Sequence, residues 1–169
     1  MTIHKIIYLP DPRLRRITLP VKKFDDALQT LINDMFETMY DAKGVGLAAP
    51  QIGVNLCLSV VDVIGDKTQQ LVLINPEIIH SEGLIEYQEG CLSVPGAYDT
   101  VLRAETVTIR ALDRFGQPFE MSAEGLLGEC FQHEIDHLNG KLFVDLLSPM
   151  KRAMARKKVN KFKRQHVRK

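Results

Sequence analysis

Residues 132–140 read QHEIDHLNG. His133 and His137 stand four apart, with Glu134 directly after the first. On a helix that spacing projects both imidazoles from one face, one turn apart. The flanking sequence predicts a helix over 124–139, stopped by Gly140. Neutral imidazole is a ligand for zinc and ferrous iron alike, and Glu134 lies where it could reach a metal-bound water. The same letters also occur by chance on ordinary exposed helices, so the short motif is not sufficient by itself. The deciding question is a third ligand, because a catalytic zinc-type site keeps three protein ligands and one open position.

In zinc peptidases the third ligand is usually a Glu or His further along the chain. After Gly140 the only acid is Asp145 and the only histidine is His166, which lies deep in a basic tail. Neither has a convincing ligand context. The cysteines remain: Cys57, Cys91 and Cys130. Cys130 falls on the same helix face as the two histidines, but it is about 10 Å from His137 along the axis at 1.5 Å per residue. Its short side chain also leans toward the helix N-terminus, away from His137. It reads as a small buried hydrophobe. Cys57, inside LCLSVVDV (56–63), reads as core. Cys91 lies in QEGCLSVPG, at a strand end before a Pro95-Gly96 bend, where metal ligands from loops are often found. The weighing favours Cys91, giving a Cys–His–His set.

The chain has 169 residues, 45% hydrophobic and 25% charged, which suits one compact domain with a sizeable core. The net charge of +1 hides a segregation. From Leu146 onward there are 10 Lys/Arg and no acid, leaving 12 basic residues against 21 acidic ones elsewhere, a balance of −9. Such a tail is suited to polyanions. The expected division is a catalytic unit over 1–147 and a basic C-terminal helix over 148–169. An apolar N-terminal run of four residues before Pro10 is too short for a signal peptide, and no run is long enough to span a bilayer. A cytoplasmic location is expected. Three well-separated cysteines show no disulfide pattern.

Residues 25–42 have helical spacing (Leu28, Leu31, Ile32, Met35, Phe36, Met39, Tyr40), with Asp25 or Asp26 as cap. Gly44 and Gly46 are expected to end it. Strands are predicted at 56–63, 71–74, 84–87, 105–112 and near 118–122. Ser148-Pro149 read as the N-cap and first residue of a last helix, whose stripe is Met150, Met154, Ala155, Val159 and Phe162. The class is α+β: short sheets around a central HExxH helix, with an N-terminal helix and a C-terminal basic helix. GVGLAAPQ (44–51) lacks the Lys-Ser/Thr of a phosphate loop. It reads either as a helix stop with a small-residue turn, or as a place where Gly44 and Gly46 admit a substrate backbone beside Gln51.

GVGLAAPQ, EGCLS and QHEIDHLNG occur in that order, and together they resemble the three signature segments of the peptide deformylases. The resemblance covers nearly the whole chain, DMFETMY, LVLINPE and IRALDR included, and is greatest to the bacterial form with a helical C-terminal extension. It implies removal of the formyl group from the formyl-methionine of new polypeptides, with release of formate. It implies that Cys91, His133 and His137 hold one divalent metal, usually Fe2+ in the cell, with zinc or nickel able to replace it. Hydroxide at that metal would attack the formyl carbon, with Glu134 as acid/base. Gln51 and the Leu92 N–H would stabilise the oxyanion. Gly46 would bond the substrate backbone, and Val45 would line the methionine pocket. Tyr98 departs from the pattern, since some bacterial members carry an arginine there that helps bind the peptide. For an enzyme acting on nascent chains, the ribosome is the natural partner of the basic tail. Two other classes fit parts of the sequence: an HExxH zinc endopeptidase, which would need a downstream ligand, and a non-catalytic ribosome-binding protein, whose structural metal would need four protein ligands.

Overall fold

The computed structural model describes residues 2–166, so positions 167–169 of the expected basic helix lie outside the described residues. The elements are α1 (Asp26–Asp41), β1 (Gly46–Ala48), β2 (Leu58–Val61), β3 (Leu71–Glu82), β4 (Ile85–Cys91), β5 (Val94–Arg103), β6 (Thr106–Leu112), β7 (Pro118–Glu124), α2 (Gly125–Leu138) and α3 (Pro149–His166). Five strands form one antiparallel sheet in the order β1-β2-β3-β6-β7, and β4-β5 form a separate hairpin. The α+β class expected from the sequence is the class observed.

The larger sheet is covered on both faces at its β2 end, and the alternation of β2 shows how. Leu58 and Val60 point into an apolar cluster with Ile32, Met35 and Met39 of α1. Val61 joins the opposite cluster with Phe131 and Ile135 of α2. A strand buried on both faces reads as a continuous apolar run, which is why 56–63 was legible. The outer half of β3 was not. It runs on to Glu82 through residues that are mostly exposed, so only its buried start at 71–74 carries an apolar signal. β5 was hidden as well, because Pro95-Gly96 at its start resembles a bend rather than a strand. Cys57 also differs from expectation: it precedes β2 and is half-buried rather than core.

The cap of α1 is as expected, with the Asp25 carboxylate accepting the Leu28 N–H at 3.0 Å. Its end is not. The helix stops at Asp41, and exposed Lys43 adopts the left-handed conformation (φ 59°) expected of Gly44. Closing bonds from Lys43 N–H to Tyr40 O (3.0 Å) and Gly44 N–H to Met39 O (2.9 Å) hold it there. Gly46 is thereby released into β1.

A third apolar cluster joins the N-terminal segment, the β4-β5 hairpin and α3. Ser148 Oγ accepts the Lys151 N–H at 3.3 Å, as an N-cap should. Ala155 (4% exposed) and Val159 (0%) are buried against the body. Burial of a valine side chain contributes about 1.5–3 kcal/mol. The expected stripe is narrower than predicted, because Met150 and Met154 remain 74% and 50% exposed. The helix rests chiefly on the single strand β5, which covers the Ala155–Val159 line and leaves the methionines beside it.

Candidate metal centre

Helix α2 is anchored before it presents any chemistry. The Gln132 carboxamide accepts from Ala104 N–H (2.9 Å) and donates to Ala104 O (3.0 Å), clamping the helix to the β5–β6 link. At its C-terminal end the Leu138 carbonyl accepts from both the N–H (3.1 Å) and the hydroxyl (2.8 Å) of Thr18. The chain then turns at Gly140, with φ 76°, as the sequence predicts.

On this helix the two imidazoles meet, with His133 Nε2 and His137 Nε2 3.2 Å apart. Cys91 arrives from the end of β4, where the pairing register slips between Gly90 and Cys91. Such irregularities re-aim side chains. Its Sγ lies 3.2 Å from His137 Nε2, and the three donor atoms fall within 4.8 Å of one another. Ser93 N–H (3.4 Å) and Gln51 Nε2 (3.6 Å) donate toward the sulfur. The other candidates are engaged elsewhere: Asp145 pairs with Arg15 at 2.5 Å, and His166 stacks on Phe162. Cys130 sits in the core facing the sheet, and burial holds its thiol well above the ordinary range.

One part of the site has almost no sequence signal. The Glu89 carboxylate contacts His133 Nδ1 and accepts two bonds from Arg103, at 2.6 and 3.1 Å. Arg103 also reaches Asp136 at 2.6 Å. Burial works against the Glu89 anion, but the His133 and Arg103 bonds outweigh it and bring its pKa down to about 2. A carboxylate on Nδ1 directs Nε2 of His133 toward the other donors, the usual support of a ligating imidazole. The one available hint was spacing, since Glu89 and Cys91 are two apart, as same-side residues of a strand are.

The two imidazoles are shifted in opposite directions. Burial pulls His133 down, yet its bonds to Cys91 and Glu89 hold it well above its ordinary value. Burial and then the charge of His133 hold His137 well below its own. A thiol and two imidazoles around one such position suit a single divalent ion of borderline softness. Beside them Glu134 is 2% exposed, and its Oε1 has no hydrogen-bond partner among the described residues. Burial pushes its pKa up to about 7. Gly46 makes room for it: a β-carbon there would stand 2.6 Å from Glu134 Oε2, so any side chain would displace the carboxyl.

Gln51 is 1% exposed and its amide is oriented, because Oε1 accepts the Ala48 N–H at 2.9 Å. Nε2 therefore faces Ser93 Oγ (3.1 Å) and the Cys91 sulfur. Leu92 occupies the turn between Cys91 and Ser93, its side chain over Gly44. These groups border a cavity of about 630 Å³ that Val45, Gly46 and Leu126 also line.

Three side chains that could hold a metal ion, an adjacent buried carboxyl and a donor amide around one cavity fit a metal-dependent hydrolase. The model of the polypeptide deformylase family matches residues 3–153. A peptide deformylase of Azotobacter vinelandii is 58% identical over 98% of this chain and 99% of that one. One of Pseudomonas aeruginosa is 57% identical over 99% and 100%. The crystal structure of a peptide deformylase from Legionella pneumophila superposes with a TM-score of 0.98 at 70% identity, covering 99% of both chains. The chain belongs to the polypeptide deformylase family. It is a metal-dependent hydrolase that removes the N-formyl group from newly made polypeptides. Among the described residues no helix is long and apolar enough to cross a membrane.

Proposed function

We propose that Cys91, His133 and His137 are the ligands of one divalent metal, Fe2+ in the cell, and that Glu134 is the acid/base of deformylation. The convergence of the three donor atoms within 4.8 Å, next to a buried carboxyl, carries this reading. When bound, the metal supplies Lewis acidity and lowers the pKa of water. Glu134 accepts a proton from the attacking water as its oxygen bonds to the formyl carbon. It returns that proton to the amide nitrogen as the C–N bond breaks, leaving formate and a free amine. Gln51 Nε2 and the Leu92 N–H donate to the formyl oxygen as it gains charge. The thiolate suits ferrous iron in a reducing cell.

The peptide binds along β1. That strand pairs only with β2 at the edge of the sheet, and Gly44, Val45 and Gly46 line the cavity. An extended substrate can add to such an edge through backbone bonds at Gly46. Val45, 38% exposed, lines the pocket for the methionine side chain together with α2.

Formate release from a formyl-Met peptide, after anaerobic purification and with metal analysis of the same sample, tests the reading. One iron per chain and stoichiometric formate are expected. Metal-loaded protein that releases none would refute it. Thiolate ligation argues against the endopeptidase class, which lacks its downstream ligand here.

The basic face of α3 contacts the ribosome. Arg152, Arg156, Lys157 and Lys161 are exposed and leave the buried Ala155–Val159 line untouched when changed. Their replacement by Ala is expected to weaken co-sedimentation with ribosomes, with a shallower dependence on salt. Unchanged co-sedimentation at low salt would remove the tail from any such role.

A further inference from the structure

Away from the donor cluster, Asp62 directly follows β2 and is fully buried. Its carboxylate is met by a hydroxyl and by backbone amides. Oδ2 accepts the Tyr40 hydroxyl and the Lys67 N–H (3.1 Å), and Oδ1 accepts the Gly65 N–H (2.8 Å). Its own N–H donates to Val45 O at 2.9 Å, which carries the β1–β2 pairing one residue past Gly46 and Val61. Tyr40 stands in the last turn of α1, and its carbonyl accepts the Lys43 N–H at 3.0 Å as the helix turns into the Gly44–Gly46 segment. The bonds close a ring: from Tyr40 through Lys43 and Gly44 to Val45, across to Asp62, and back to the Tyr40 hydroxyl. Gln70 Nε2 donates to that hydroxyl at 3.0 Å, and Lys67 Nζ lies 5.3 Å from the centre of its ring.

Capping the turn after β2 is a role that one asparagine oxygen would also fill. The second carboxylate oxygen adds the bond to Tyr40, and that bond joins the turn to α1. The segment it steadies has little else to fix it, because β1 is three residues long and pairs only with β2. We propose that Asp62 and Tyr40 are positioning residues for the substrate: their ring sets the Val45–Gly46 edge where a bound peptide backbone can bond to it. This rests on reading β1 as the peptide edge. Cys91 is carried by β4, and His133, Glu134 and His137 by α2, outside the ring. Loosening the ring therefore weakens peptide binding and leaves the reacting groups in place.

The test uses metal-loaded full-length parent, Tyr40→Phe and Asp62→Asn. Steady-state kinetics with formyl-Met-Ala-Ser are set beside calorimetric titration of acetohydroxamic acid, which bonds a metal but has no peptide backbone. Tyr40→Phe keeps the ring that stacks on Phe36 and removes only the hydroxyl, so it carries the test if Asp62→Asn does not fold. In each variant KM should rise about tenfold, the worth of one poorly met hydrogen bond. Both kcat and the Kd of acetohydroxamate should stay within about twofold of the parent. A KM in Tyr40→Phe within about twofold of the parent, whatever its melting temperature, overturns the proposal and leaves the metal-site reading standing. Equal weakening of peptide and hydroxamate also overturns it, since the ring would then support the whole site. The parent should bind formyl-Met-Ala-Ser better than formyl-methionine, which lacks the following backbone. Equal KM values there overturn the edge reading and the proposal with it, and no formate from the parent overturns the metal-site reading as well.

Discussion

Glu134→Gln is expected to lower kcat for formate release about a thousandfold while the protein keeps one metal per chain. General acid–base groups contribute about 10²–10⁴-fold. Here one carboxyl would carry the proton in both directions, which places the loss well inside that range. The amide keeps the shape that fits against Gly46 and cannot take a proton from water. Glu134 is 2% exposed and one of its oxygens has no partner among the described residues. Replacing a buried carboxyl by a neutral group of equal size therefore costs little, and the melting temperature should not fall. Metal analysis, thermal melting and steady-state kinetics on the same sample test this together. Loss of metal, or a kcat within tenfold of the parent, would make Glu134 a structural residue.

The second large effect lies away from the reacting atoms. Arg103→Leu should destabilise the fold by about 3–5 kcal/mol, the cost of removing one partner from a buried ion pair. Arg103 is 6% exposed and Glu89 3%, and Glu89 would keep its charge having lost both of its Arg103 bonds. Because Glu89 orients His133, metal affinity should also fall about 10–100-fold. Chemical denaturation measures the first quantity and competition with a chelator the second. The double variant Arg103→Leu with Glu89→Gln should recover part of the stability but not the affinity, because its amide is a weaker acceptor for His133 Nδ1. Unchanged affinity in both variants would limit this network to holding β5 against α2.

How far the sequence carried differs from element to element. Helix α2 was legible because its period places His133 and His137 on one face by local geometry alone. Cys91 could be reached by elimination, since Cys130 is too far along the helix axis and the downstream residues are too few. β1 was not legible. Three residues, two of them small, carry no strand period, and their extended form depends on pairing with Ser59, Val60 and Val61. The left-handed Lys43 was equally hidden, because a glycine stood next to it and was the better candidate on intrinsic preference.

By itself, then, the sequence determined the α+β class, the cysteine and histidines that come together and the carboxyl beside them, because each depends on spacing within one element or on which residue types are present at all. Tertiary structure alone decided the rest. It set Glu89 between His133 and Arg103, opened the edge of β1 to the cavity, and brought Phe162 of the last helix against Tyr8. Those contacts join residues 14, 44 and 154 positions apart. They arise from strand register and from the packing of whole faces, which local periodicity does not encode.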